Sequence, residues 1–372
     1  MRFETKVVHA GLRTDPAGAV APPIHLSTTF ERNPASEPIG ADTYIRESNP
    51  TQTQLEIALA ELEGGEASLA LASGMAAGIT VIQSLPPGSH VILPDDAYYS
   101  YRQSFEDYFS KWGFSVSIVD MSDTANVRTA VSPKTKLIWM ESPSNPQLKI
   151  VDIAAVCEIA RKAGALTFVD NTWATPALQR PLELGADIAM HSATKYFGGH
   201  SDVMGGTLMF AKKNDFYERC HHTRSIMGSV LSPFNAWLIL RGLRTLSCRM
   251  RVHCDNAMVI ASGLDGHPAL SHIHYPGLGD DPGHAVAKKQ MSAFGGMMSI
   301  RVKAGQDAAM KIISKVKVFT RATSLGGVES LIEHRASSEG PGSRTPQDLL
   351  RLSIGLEHPD DLLADLKQAL GS

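Results

Sequence analysis

Apolar and polar positions alternate along this chain in short blocks, and the blocks change character near Gln54. QLEIALAELEGG (54–65) has apolar residues at helical spacing and a glycine pair as its stop. Four brief apolar runs follow, each ending in polar residues: HVILPDD (90–96), KLIWMESPSNP (136–146), LTFVDNT (166–172) and DIAMHSATK (187–195). Helix-like segments such as DIAAVCEIARKAG (152–164) lie between them. Strand and helix in alternation predict an α/β fold, a parallel sheet covered on both faces.

Beyond Pro233 the pattern changes again. A long helical stretch is expected over 235–264, strands at SAFGGMMSIRV (292–302), KVKVFTR (315–321) and LLRLSIG (349–355), and a last helix at HPDDLLADLKQAL (358–370). The first 45 residues, rich in Pro, Gly, Thr and Ser, read as an extended arm. The expected division is therefore an arm (1–45), a large α/β domain (46–234) and a smaller α+β domain (235–372).

Composition narrows the classes. With 372 residues, two domains are the ordinary expectation at roughly 150 residues each. A hydrophobic fraction of 43% and a charged fraction of 20% are globular and exclude wholesale disorder. The formal charge is 35 − 38 = −3, which offers no electrostatic footprint for nucleic acid or an anionic membrane. Four cysteines are too few for a disulfide framework. The uncharged stretch Ala67–Ser89 is long enough to span a bilayer, but its glycines and prolines make it a small-residue helix followed by a turn. Glu4 and Lys6 interrupt any leader-like apolar run, so a cytoplasmic protein is expected.

Ligands of open α/β sheets bind beyond the carboxyl ends of the parallel strands. Those ends here gather Asp95, Asp96 and Tyr98; Glu141, Ser144 and Asn145; Asp170 and Thr172; and Ser192, Thr194 and Lys195. No metal-binding spacing, GxGxxG, GxSxG or Walker motif accompanies them. The pairs His221-His222 and His272-x-His274 have no third ligand in the pattern, and Arg241, Arg244, Arg249 and Arg251 read as a solvated helix face. Gly74 and Met75, opening an Ala/Gly-rich helix, offer backbone N–H groups to an anion. Ser192 and Thr194 add hydroxyls. A lysine that condenses with an aldehyde, a carboxylate that keeps a pyridine nitrogen protonated and a phosphate cradle together describe a site for pyridoxal phosphate (PLP). Lys195, Asp170 and an overlying Tyr98 supply the parts.

With these residues assembled, the chain resembles the trans-sulfuration, or Cys/Met-metabolism, family of PLP enzymes. The blocks that carry the resemblance include PPIHLSTTF (22–30), YIRESNPT (44–51), SGMAA (73–77), ESPSNP (141–146), VDNTWATP (169–176), HSATKYFGGHSDVMGG (191–206), SLGGVESL (324–331) and LLRLSIGLE (349–357). The resemblance implies the PLP-dependent transferase fold of type I, aspartate aminotransferase-like. It implies that Lys195 holds the cofactor, Asp170 pairs with the ring nitrogen, Tyr98 stacks on the ring and Asn145 lies near its phenolic oxygen. Gly74, Met75, Ser192 and Thr194 would bind the phosphate, joined by Tyr44 and Arg46 from the neighbouring subunit of a homodimer, two of which form the family's usual tetramer. Ser324 and Arg351 would hold the α-carboxylate of a small amino-acid substrate. Lys195 and Tyr98 would be the catalytic acid–base groups.

SLGGVESL is closer to the γ-lyase and γ-synthase branch, which implies γ-elimination or γ-replacement on sulfur-containing or O-activated homoserine-type amino acids. Cystathionine β-lyase, methionine γ-lyase or O-acetylhomoserine sulfhydrylase activity, and an aminotransferase as another class, stay open. Four positions depart from the family: Glu47 where γ-synthases often carry a second basic residue, Thr323 where glutamate is typical, and Tyr99 and Ser100 where many members have glycines. An acid at 47 would disfavour a distal carboxylate.

Overall fold

The computed structural model describes residues 1–12, 15 and 17–371. In chain order the first half contains α1 (Phe3–His9), α2 (Pro50–Glu63), β1 (Ala67–Leu71), α3 (Gly74–Gln83), β2 (His90–Pro94), α4 (Tyr99–Asp107), β3 (Ser115–Val119), α5 (Thr124–Ala130), β4 (Thr135–Glu141), α6 (Ile153–Ala163), β5 (Leu166–Asp170), α7 (Thr175–Leu178), β6 (Ile188–Ser192) and β7 (Gly206–Phe210). The second half contains α8 (Asp215–Met227), α9 (Pro233–Leu243), α10 (Leu246–Leu264), β8 (Leu270–His274), α11 (His284–Gln290), β9 (Met297–Val302), α12 (Gly305–Lys315), β10 (Thr320–Arg321), β11 (Leu331–His334), α13 (Arg335–Glu339), β12 (Leu349–Ser353) and α14 (Pro359–Leu370).

Caps explain several boundaries. Asn49 accepts from Thr51 N at the start of α2, and Gly64 closes that helix at φ 81°. Ser73 caps α3 by accepting from Ala76 N at 3.1 Å, and Asp152 caps α6 from Ala155 N at 3.0 Å.

The first sheet runs β1-β7-β6-β5-β4-β2-β3 and the second β10-β11-β12-β9-β8. The first is parallel except at β7, which pairs antiparallel with both β1 and β6. Apolar cores lie on both faces of this sheet, one of them shared with α2, α9 and α10. Trp139 is fully buried, its ring 3.8 Å from Phe168 and 4.4 Å from Tyr101. A separate core fills the space between the second sheet and α10, α12 and α14.

Several sequence expectations are corrected. Ala67–Ser89 opens with a strand, β1, before the helix. The arm contains α1, whose Val7 is buried in the core beside α2. The long helix of 235–264 is two helices, broken at Arg244-Thr245 where Gly242 packs on the carbonyls of Phe197 and Gly198. Arg249 is buried and donates to Gly242 O, so the arginine run is not wholly a solvated face. The strand expected at 315–321 is reduced to Thr320-Arg321 because the Asp365 carboxylate accepts from the amides of Lys317, Val318 and Phe319, which removes those donors from a ladder. No helix of the described residues is long and apolar enough to cross a membrane.

Gly206 opens β7 directly behind the turn that starts α3. A Cβ there would lie 2.0 Å from Ser73 O and 2.8 Å from Gly74 N, both backbone. Gly206→Ala should destabilise the protein by about 1–3 kcal/mol or more through overpacking. Gly40→Ala, with open space around it, should be near neutral. Urea unfolding midpoints of the two variants check this; equal midpoints contradict it.

Candidate active site

The carboxyl ends of β4, β5 and β6 and the loop before β11 meet at a cavity of about 250 Å³. At one end of it, α3 presents Gly74 and Met75, and β6 with its following turn presents Ser192 and Thr194. The fit there is close: a Cβ on Gly74 would lie 2.9 Å from Ser192 Cβ. Tyr101 Oη donates to Gly74 O at 2.6 Å and holds the turn in place. Gly74 and Met75 lie in the first turn of α3, where backbone N–H groups have no partner inside the helix. Ser192 Oγ has no hydrogen bond to protein among the described residues, whereas Thr194 Oγ1 accepts from Gly205 N at 3.1 Å.

In the middle stand Asp170, Lys195 and Tyr98. Asp170 Oδ1 accepts from the amide and hydroxyl of Thr172, and Thr172 Oγ1 in turn accepts from Ser192 N at 2.9 Å. One threonine thus ties the ends of β5 and β6 together. Burial raises the Asp170 carboxyl above its ordinary value, while the Thr172 hydrogen bonds and His191 pull it back down. Its Oδ2 has no protein partner among the described residues. Lys195 Nζ donates to Ser324 Oγ at 2.6 Å. Burial, reinforced by the positive charges of Arg351 and Arg335, lowers this amine to about 8. Ser324 takes φ +90°, a strained backbone setting for a non-glycine residue. Tyr98 is anchored through its backbone N–H to Glu141 Oε2 at 2.9 Å. Burial, and Asp170 after it, raises the Glu141 carboxyl well above its usual range.

At the far end are Asn145, Ser324 and Arg351. Arg351 Nη1 donates to Asn145 Oδ1 at 3.0 Å, and its Nη2 donates to Ser324 O at 3.1 Å and to Glu333. Its Nε–H and one Nη1–H are left without a protein partner among the described residues. The loop carrying Asn145 is locked by Asp96, which accepts from Ser144 Oγ and from Gln147 N and Nε2.

Ten of the twelve expected site residues therefore converge on one cavity. Tyr44 and Arg46 do not line it. Tyr44 is 45% exposed, and Arg46 donates to Ser225 O on α8 at 3.0 Å. Glu47 also lies outside, accepting from Thr43 Oγ1, while Thr323 lines the cavity. Two residues of the site escaped the sequence reading: Arg335, which lines the cavity at the start of α13, and Glu333, which pairs with Arg351 behind it across the β11–β12 pair. The available signal was a charged residue in LIEH, an otherwise apolar strand.

The free N–H groups and Ser192 hydroxyl, the unpartnered oxygen of buried Asp170 and the easily deprotonated Lys195 fit a phosphorylated pyridine aldehyde. A family model described as Cys/Met metabolism PLP-dependent enzyme matches residues 4–371. Cystathionine gamma-synthase of Mycobacterium leprae is 47% identical, over 98% of this chain and 96% of that protein. Cystathionine beta-lyase of Coxiella burnetii is 44% identical, over 99% and 97%. A crystal structure of cystathionine gamma synthase from Xanthomonas oryzae pv. oryzae in complex with cystathionine superposes with TM-score 0.95 at 42% identity, covering 100% of this chain and 98% of that one. Site and comparisons lead to one conclusion: the chain belongs to the Cys/Met metabolism family of enzymes and depends on pyridoxal phosphate.

Proposed function

We propose that the protein catalyses γ-replacement, joining a thiol-bearing amino acid to an O-activated homoserine to form a thioether. The observation that carries the reading is the Lys195 amine, lowered to about 8 and lying in one cavity with Asp170 and Arg351. The choice of γ-replacement is supported by relatives named cystathionine gamma-synthase at 46–47% identity.

Bound PLP supplies an aldehyde for the substrate amine and a ring that stores the electron pair left when a carbon beside that amine loses a proton. Asp170 would keep the ring nitrogen protonated, and the N–H groups of Gly74 and Met75 with the hydroxyls of Ser192 and Thr194 would hold the phosphate. Arg351, through its two remaining donors, and Ser324 hold the α-carboxylate. Asn145, fixed by Arg351, would orient the ring oxygen. Lys195 would hold the cofactor and, once freed by the substrate amine, would take the α-proton, a task suited to an amine near 8. Tyr98 would cover the ring and move the proton at the leaving group. Tyr44 and Arg46 complete the phosphate site of a second copy, so the active unit is a dimer, within a tetramer of the family type, working in the cytoplasm. Their position outside their own cavity supports that arrangement.

Two outcomes follow. Only a neutral amine condenses with an aldehyde, so cofactor uptake by cofactor-free protein should accelerate as pH rises through about 8. A stopped-flow rate that is unchanged on either side of that value contradicts the assignment. Holoenzyme given O-acetylhomoserine and cysteine should release acetate and form a thioether. Lys195→Ala and Arg46→Ala should each lose most of this activity, and mixing the two variants under subunit exchange should restore part of it. Release of pyruvate from cystathionine without thioether synthesis would refute γ-replacement, and failure of the mixture to recover would refute the shared site.

A further inference from the structure

The cavity contains a second guanidinium for which the roles above have no use. Arg335 lies at the junction of β11 and α13 and lines the cavity beside Tyr98, with Cζ 5.6 Å from the centre of the Tyr98 ring. Its Nε donates to Glu339 Oε1 at 3.1 Å, and its Nη1 has a long contact of 3.5 Å to Glu333 Oε1. Its Nη2 has no protein partner among the described residues. Glu333 is divided between two cations, with Oε2 on Arg351 and Oε1 toward Arg335. Glu339 is held in addition by the hydroxyls of Ser343 and Thr345.

These contacts account for the position of Arg335 but leave donors unspent in a wall that faces substrate. A guanidinium is costly to bury, and one with open N–H groups at a cavity surface is a carboxylate receptor. It lies over the Tyr98 ring and lines the same cavity as Arg351. We propose that Arg335 is a specificity-determining residue that binds a second carboxylate, carried on the side chain of the amino-acid substrate, while Arg351 holds the α-carboxylate. Glu47, like Tyr44 and Arg46, lies outside the cavity of its own chain and is not part of this wall. The inference rests on the proposed function only in placing the α-carboxylate at Arg351; it holds for elimination or replacement.

Unreactive ligands test it separately from the reaction. α-Aminoadipate and α-aminopimelate are each paired with the compound lacking the terminal carboxylate, norleucine and α-aminoheptanoate. Binding to the holoenzyme is read from the change in cofactor absorbance. Wild type should bind at least one dicarboxylate about tenfold or more tighter than its partner, the scale of one charge-assisted contact. Arg335→Gln should abolish that preference, leave the monocarboxylates within about twofold, and Arg335→Lys should keep part of it. Glu339→Gln, which removes a competing carboxylate, should strengthen dicarboxylate binding; this variant decides the matter if the Arg335 variants lose cofactor. Equal weakening of both members of each pair would make Arg335 a support for Tyr98, and absence of preference in wild type would overturn the proposal.

Discussion

An amine taken out of water beside two guanidinium groups surrenders its proton readily, and the site is organised around that constraint at Lys195. Burial alone would favour the neutral form; Arg351 and Arg335 push in the same direction, and Glu333 tempers them. The opposite problem is posed by Asp170. Its carboxylate is buried and would tend to take a proton, yet Thr172 donates to it twice and His191 adds a favourable charge. The cavity thus has a lysine inclined to be neutral and an acid that burial pushes above its ordinary value, with Thr172 and His191 holding that rise in check.

That electrostatic arrangement depends on backbone packing with little slack. Thr172 joins the ends of two neighbouring strands, and β7 passes so close behind Ser73 and Gly74 that only glycine fits at 206. The antiparallel β7 therefore acts as a backstop for the turn that opens α3. The second sheet contributes the other wall. Its β11–β12 pair sets Glu333 opposite Arg351, and Ser324, from the loop ahead of β11, reaches Lys195. Both sheets must be in register for the lysine to meet its neighbours.

Much of this was legible in the chain because strand ends are easy to read. Asp170, Ser192 and Lys195 each follow an apolar run, and the phosphate turn announces itself through Ser73-Gly74-Met75 before a small-residue helix. What stayed hidden depends on pairing between distant segments. Glu333 and Arg351 are 18 residues apart and become partners only through the antiparallel register. Arg335 follows a strand of four residues, too short to show alternation. The false strand at 315–321 had ample β-branched residues, but Asp365, from the last helix, captured its amides. Tyr44 and Arg46 were readable as a motif, and their place outside the cavity of their own chain accords with the expected role in a neighbouring subunit.

The most direct measurement is to reduce the holoenzyme with borohydride, digest it and map the peptide that retains the pyridoxyl group. Label on Lys195 is the expected result, absent from Lys195→Ala. Label on another lysine, or cofactor released intact from the reduced protein, would contradict the central claim.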